Sequence, residues 1–203
     1  YEAQQRNIAP MYEPADVERA LSLWKHIPFH NPLTLPGGFT LTLHMAGHIL
    51  GSAMAKFHYG NKNIVFTGDL GNSPDPLLKD TEEVTDADYM IIESVYGDRN
   101  HEEREERITK LKNAIMETIA KKGILMIPSF ALERTQNLLF IINELVEDGE
   151  IPSIPIFLDS PLGIDITNVF RKHLSLLNSD VHDRLQTDTD VFSFNGLKET
   201  HSV

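Results

Sequence analysis

Two hydrophobic periodicities divide the chain. Phe39-Thr40-Leu41-Thr42-Leu43-His44-Met45 alternates apolar and polar residues, which predicts a half-buried strand with His44 on its polar face. Ala53 to Tyr59 continues as a strand, and Gly60-Asn61-Lys62-Asn63 is a hairpin signal leading into Ile64-Val65-Phe66. Tyr89-Met90-Ile91-Ile92 is an unbroken apolar run, predicting a fully buried strand that delivers Glu93 at its carboxyl end. From His101 the period becomes helical. Ile108, Leu111, Ile115 and Ile119 mark one face, while Glu102, Glu103, Glu105 and Glu106 load the first turns and read as a solvated face.

Beyond Gly123, which ends that helix, Ile124-Leu125-Met126-Ile127 predicts a buried strand. Pro128-Ser129 then reads as the opening of a helix with Leu138, Ile142 and Leu145 on one side. Ile156-Phe157-Leu158 is the next strand. Asp159-Ser160-Pro161 opens another helix, with Ser at the N-cap and Pro at the first position, carrying Leu162, Ile166 and Val169. Strand–helix alternation of this kind predicts a parallel sheet with crossover helices. Before all of this, Glu13 to Trp24 predicts a short helix with Pro14 in its first turn. The pattern thus predicts two regions, 1–97 and 98–203, with the boundary near Gly97.

Composition changes the picture in three ways. With 203 residues, 41% hydrophobic and 24% charged, the chain is an ordinary globular sequence long enough for a real core. No apolar run approaches a membrane span and no secretory h-region appears, so a cytoplasmic protein without membrane partners is expected. Zero cysteines exclude disulfides and thiolate zinc sites, leaving His, Asp and Glu to hold any metal. The net charge of −12 argues against a simple basic nucleic-acid face, unless divalent ions and local arginines supply the positive field. The first residues, Tyr1-Glu2-Ala3-Gln4-Gln5, read as the middle of a helix, so an internal piece of a longer protein is expected.

The chemistry gathers between His44 and Asp69. Each half of this stretch is an apolar strand running into a glycine loop that presents one metal-capable side chain: His48 after Gly47, and Asp69 after Gly68. Imidazole and carboxylate suit Zn²⁺ or Mn²⁺, and glycines let the backbone crowd an ion. Two donors are fewer than the three a zinc site takes from the protein, and taken bare such loops are more often turns. Glu93 either caps a neighbouring amide or takes part in catalysis. Ser129, Arg134, Asp159 and Ser160 fall where an α/β sheet binds ligands, and a helix N-terminus with an arginine suits a phosphate. The plainer alternatives are capping for the serines, and for Arg134 a pairing with Glu133 or another surface acid. His26 and His30 read as surface or packing histidines, and His44 as a weaker second candidate.

Five ordered blocks carry a resemblance. Ala46-Gly47-His48-Ile49-Leu50-Gly51-Ser52-Ala53, Phe66-Thr67-Gly68-Asp69-Leu70-Gly71 and Glu93-Ser94-Val95-Tyr96-Gly97-Asp98-Arg99 come first. Pro128-Ser129-Phe130-Ala131-Leu132-Glu133-Arg134-Thr135-Gln136 and Leu158-Asp159-Ser160-Pro161-Leu162 follow. Together they resemble the metallo-β-lactamase-fold nucleases with a β-CASP domain, such as RNase J and the cleavage and polyadenylation endonuclease. The resemblance implies part of a metallo-β-lactamase αβ/βα sandwich followed by part of a Rossmann-like β-CASP domain. It implies a ribonuclease using a two-metal hydroxide mechanism with two Zn²⁺, or Mn²⁺, in the intact parent. His48 would ligate one metal, Asp69 would bridge both, and Glu93 would support a histidine outside this chain. Ser129, Arg134, Asp159 and Ser160 would touch single-stranded RNA, and the intact parent would be a homodimer. The His-x-His-x-Asp-His cluster of that family is not in this sequence, so the chain alone is expected to be inactive. Two other classes stay open: a non-catalytic scaffold subunit in RNA processing, and a hydrolase of small esters.

Overall fold

The computed structural model describes residues 10–100 and 106–200, together with the backbone of residues 104 and 105. The expectations placed on Tyr1–Gln5, His101, Glu102, Glu103 and the Glu105 side chain lie outside the described residues. Helix α1, Pro14–Ser22, begins as its sequence predicts. Pro14 sits in the first turn, and Glu13 and Asp16 exchange reciprocal backbone bonds in a capping box, with the Glu13 amide donating to Asp16 at 3.0 Å.

A five-stranded sheet follows in chain order: β1 (Leu33–Thr34), β2 (Thr40–Met45), β3 (Ala53–Tyr59), β4 (Lys62–Phe66) and β5 (Tyr89–Ile91). The first four pair antiparallel, and β5 joins β4 in parallel, Val65 opposite Met90. The β3–β4 hairpin turns at Gly60, whose φ of +61° is costly for a residue with a Cβ. Lys56 and Lys62 reach Asp86 and Asp88 at 2.5 and 2.6 Å, tying the segment before β5 to the hairpin.

Helix α2 (Arg104–Ala120) packs Ile115 into the core with Ile108, Leu111 and Ile119 beside it, as the apolar period predicts. Helix α3 (Arg134–Glu147) and helix α4 (Pro161–Lys172) follow, with β6 (Ile156–Leu158) between them, then α5 (Ser179–Arg184) and β7 (Leu197–Glu199). β6 and β7 pair in parallel, Phe157 opposite Lys198. Three phenylalanines, Phe140, Phe170 and Phe192, are fully buried at the centre, the latter two edge to face at 6.0 Å.

The core ignores the boundary near Gly97 that the sequence pattern suggests. Leu77 and Leu78, from the loop after Asp69, are buried among the residues of the helical region. Asn178 holds them there. Its amide donates to the Leu77 carbonyl at 2.8 Å, and its side chain donates to the Asp75 and Pro76 carbonyls.

The structure corrects four expectations from the apolar pattern. Tyr89–Ile92 is not buried but 47–59% exposed, because β5 is the edge of its sheet and no described element covers its faces. Ile124–Ile127 joins no described strand, and Ile124 and Met126 are among the most exposed apolar residues. An apolar run specifies burial only when a partner element supplies the other side. Pro128-Ser129 does not open a helix: α3 starts at Arg134, after the turn formed by residues 131–133. In α4 the buried face is Ile164, Thr167 and Phe170, whereas Leu162 and Val169 point outward and only Ile166 is half-buried.

Candidate metal centre and substrate cavity

Strand β2 runs directly into the loop that carries His48. Gly47 and Gly51 hold φ of +64° and +87°, and the Ser52 hydroxyl accepts from the His48 and Ile49 amides at 3.0 and 3.2 Å. Strand β4 runs into the loop that carries Asp69, through Gly68 at φ +56°. The loops meet backbone to backbone: the Gly71 amide donates to the Ala46 carbonyl at 2.8 Å. A Cβ on Gly71 would come within 1.9 Å of the Gly47 carbonyl oxygen, so only glycine fits the seam.

This seam aims the two candidate ligands at each other. His48 Nδ1 lies 3.3 Å from the Leu70 carbonyl, and donation there leaves Nε2 with its lone pair free. Nε2 is 3.9 Å from Asp69 Oδ2, and both side chains are exposed to solvent. Zn–N and Zn–O bonds of about 2.0–2.2 Å separate two ligands by roughly 3–4 Å, so this pair fits a shared ion. Among the described residues no third donor completes a cluster with them. His48 and Asp69 therefore fit a metal but do not enclose one.

Glu93 stands on the other side of Leu70. Its carboxylate accepts from the Val95 amide at 3.0 Å and the Leu70 amide at 3.2 Å. Those two donors, Val95 first, hold the Glu93 carboxyl below the usual carboxylate range. Leu70 thus gives its carbonyl to His48 and its amide to Glu93, so the three polar side chains share one backbone hinge. Glu93 caps amides here, and in doing so steadies the loop that carries Asp69.

Ser129 and Arg134 lie together on a second feature, a cavity of about 610 Å³. It is walled by the loop after Asp69 (Asn72, Pro74, Asp75), by α2 (Arg107, Ile108, Leu111) and by the start of α3. The Arg134 side chain is exposed and makes no close ion pair among the described residues, although its charge acts on the neighbouring Glu133 carboxyl and lowers it. Ser129 is exposed, with the Thr135 hydroxyl 3.4 Å away, which also donates to the Phe130 carbonyl at 2.8 Å. Asp159 and Ser160 are not on this cavity. Ser160 caps α4 by accepting from the Gly163 amide at 3.0 Å, and Asp159 accepts from Thr200 at 2.8 Å. Buried Gln136 spans the gap, donating to the Ala131 and Gly163 carbonyls and to Thr167.

Two polar residues lining the cavity, and one buried beside Arg134, escaped the sequence reading. Arg107 lines it, with its Nε buried and lacking an acceptor among the described residues. Asp75 turns its loop by accepting from the Leu77 and Leu78 amides at 2.8 and 2.9 Å. Glu133 is 5% exposed, at φ +64°, with only the Leu50 amide near enough to favour its charged form. Burial, with the Asp75 carboxylate nearby, pushes its carboxyl up to about 8. No sequence signal marks Glu133 as buried, since a charged residue before an arginine reads as surface.

The fold and site therefore define a mixed α/β protein with a histidine and an aspartate on facing glycine loops. Residues 135–203 match the Beta-Casp domain family. Almost the whole chain aligns with proteins named as a ribonuclease, an endoribonuclease and a cleavage and polyadenylation factor subunit. It is 29% identical over 189 residues to a ribonuclease of Thermus thermophilus, covering 93% of this chain and 43% of that protein. It is 29% identical over 198 residues to cleavage and polyadenylation specificity factor subunit 3 of Dictyostelium discoideum, covering 95% and 25%. It is 30% identical over 196 residues to Endoribonuclease YSH1 of Yarrowia lipolytica, covering 95% and 24%. The resemblance carried by the five motif blocks is thus supported along the chain: this is a sequence similar to the β-CASP nucleases of the metallo-β-lactamase fold. The chain spans less than half the length of these relatives.

Proposed function

We propose that the protein carrying this chain is a metal-dependent ribonuclease that hydrolyses phosphodiesters in single-stranded RNA. The observation that carries the reading is the seam between the His48 and Asp69 loops, which directs His48 Nε2 toward Asp69 Oδ2 at 3.9 Å with its tautomer fixed on Leu70. A scaffold subunit has no need of such an arrangement. His48 and Asp69 would hold Zn²⁺ or Mn²⁺, Asp69 offering two oxygens to a pair of ions. Metal ions bound there supply Lewis acidity and lower the pKa of water at neutral pH.

The residues of this chain do the rest. Leu70 and Glu93 keep the Asp69 loop in place, and the glycine seam keeps the two ligands at ion-sharing distance. Residues 1–97 supply these loops, and residues 98–203 supply the helical wall. Arg134 and Arg107 bring positive charge to an otherwise acidic protein, on a cavity adjoining the loop after Asp69. A guanidinium clasps a phosphate with two parallel hydrogen bonds, suiting the cavity to the RNA backbone. Ser160 acts one step away by capping α4, which Gln136 contacts, and Asp159 ties the end of β6 to Thr200.

The test is cleavage of an end-labelled single-stranded RNA by the purified protein after chelation, and after Zn²⁺ or Mn²⁺ is restored. Cleavage should vanish with the chelator, return with the metal, and stay absent in His48→Ala. Cleavage that persists through chelation would rule the reading out. A protein that binds RNA but never cuts it would be a scaffold, and one that turns over small esters but not RNA would be a small-ester hydrolase.

A further inference from the structure

A second histidine–carboxylate group stands apart from His48 and Asp69. His30, His44 and Glu82 bring one ligand atom each to within 4.8 Å of one another. His30 Nε2 lies 2.8 Å from both oxygens of Glu82, and His44 Nδ1 lies 3.5 Å from Glu82 Oε2. The two rings meet edge to face, 5.7 Å between centroids.

Main-chain groups of β2 hold His30 and Glu82 on either side of His44. The His30 amide donates to the Leu43 carbonyl at 2.9 Å and the Glu82 amide to the Met45 carbonyl at 3.1 Å. The Met45 amide donates back to Glu82 Oε2 at 3.0 Å. His30 and Glu82 therefore cover the edge of β2 that β1 leaves open, with His44 between them. Burial alone would push the Glu82 carboxyl up, but His30 and the Met45 amide more than offset it and hold it below the usual range. His30 does this from a left-handed backbone at φ +61°.

His44 is the unexplained member. Its Nε2 is buried without a partner and its Nδ1 makes no hydrogen bond among the described residues, yet Nδ1 faces Glu82. A tetrahedral zinc with bonds of about 2.0–2.2 Å separates its ligand atoms by roughly 3.3–3.5 Å. The His44–Glu82 spacing already matches. The His30–Glu82 hydrogen bond opens by about half an ångström as it is exchanged for ligation. Two imidazoles and one carboxylate form a complete protein ligand set for zinc, leaving a fourth position for water.

We propose that His30, His44 and Glu82 form a separate binding site for a zinc-class transition-metal ion at the edge of β2. Its ligands bracket the strand that continues through Ala46 and Gly47 to His48. Thr81, beside Glu82, donates its hydroxyl to the Ala46 carbonyl at 2.9 Å, so the ion would brace the loop that presents His48.

The test begins from protein stripped of metal and carrying His48→Ala with Asp69→Asn, which removes the other candidate ligands on this chain. Zinc titrated calorimetrically into that background should bind. Cobalt should give the visible absorption of a tetrahedral nitrogen–oxygen site. Adding His30→Ala or His44→Ala should weaken zinc by roughly a hundredfold, the upper scale for removing even a supporting ligand partner. Glu82→Gln keeps an acceptor for the Met45 amide and removes the charge, so it separates lost ligation from lost folding. It should melt like its parent without zinc and lose the stabilisation that zinc confers. Zinc binding that survives all three substitutions, or no zinc binding in the starting background, would overturn the proposal and leave a hydrogen-bonded His–Glu pair. Because His48 and Asp69 are already replaced, this outcome is independent of whether the protein is a nuclease.

Discussion

The sheet region and the helical region hold their polar side chains by opposite means. Around β2 and β4 the holding is done by main chain. Glycine loops interlock, Leu70 shares its peptide groups between His48 and Glu93, and the candidate ligands stand in solvent. Around α3 and α4 the holding is done by burial. Gln136 and Thr167 are fully enclosed, and Glu133 is enclosed to 5% exposure. Exposed ligands on a rigid backbone can be exchanged for similar shapes with little effect on folding. Buried polar groups cannot, because their hydrogen bonds or their protons are part of the stability.

The largest expected effect tests the first half of that contrast. Asp69→Asn keeps the shape and removes the charge that bound cations would share. Its side chain is three-quarters exposed and the His48 contact is 3.9 Å long, so folding should hardly notice. RNA cleavage should fall by roughly a thousandfold or more, about 4 kcal/mol of barrier, with an unchanged melting temperature. Loss of both together would mean that the loop, not the charge, had failed.

Glu133 tests the second half through pH. Folded, its carboxyl stays neutral up to about pH 8, whereas the unfolded chain ionises it from about pH 4.5. Its contribution is therefore complete below about 4.5, falls as pH rises toward 8, and changes little above that. At 1.36 kcal/mol per unit, the decline should amount to about 4–5 kcal/mol. Glu133→Gln should flatten this slope, as seen in urea unfolding midpoints across that range. A slope unchanged by the substitution would show that Glu133 ionises freely in the folded protein.

Arg134 sits where the regions meet and should behave as an exposed ligand. Arg134→Ala should weaken binding of single-stranded RNA by roughly 1.5–3 kcal/mol, the scale of a charged hydrogen bond. Hydrolysis of a small generic phosphodiester should change much less. Equal losses on both substrates would point to damaged folding or metal binding instead. The smallest effect belongs to Ser160→Ala, which removes the α4 cap and should cost about 0.5–2 kcal/mol in stability. If Ser160 also touches RNA, binding will fall further than stability accounts for, and Ser160→Thr will restore the melt before it restores the binding.

Much of the fold was legible because its signals are local. Period-2 alternation located β2, the Gly60-Asn61-Lys62-Asn63 signal marked the β3–β4 hairpin, and Ser160-Pro161 located the start of α4. His48 and Asp69 were legible as a pair because each follows a strand through a glycine. Their mutual distance was not, since it depends on Gly71 reaching Ala46 across the seam. The start of α3 was misread because Ser129 looks like a cap, whereas Thr135 ties it into a turn that postpones the helix to Arg134. His30, His44 and Glu82 were illegible as a group. They are separated by up to 52 residues, and only the open edge of β2 draws them together.

By itself, then, the sequence determined which segments can be strands or helices, which side chains can bind metal, and which family the chain resembles. These follow from near-neighbour sterics, hydrophobic period and residue chemistry. Only the tertiary structure decided which apolar runs find a partner, which carboxylate is forced to keep its proton, and which histidines face the same acid. Burial and the approach of distant side chains are properties of the packed chain, and no local stretch of residues carries them.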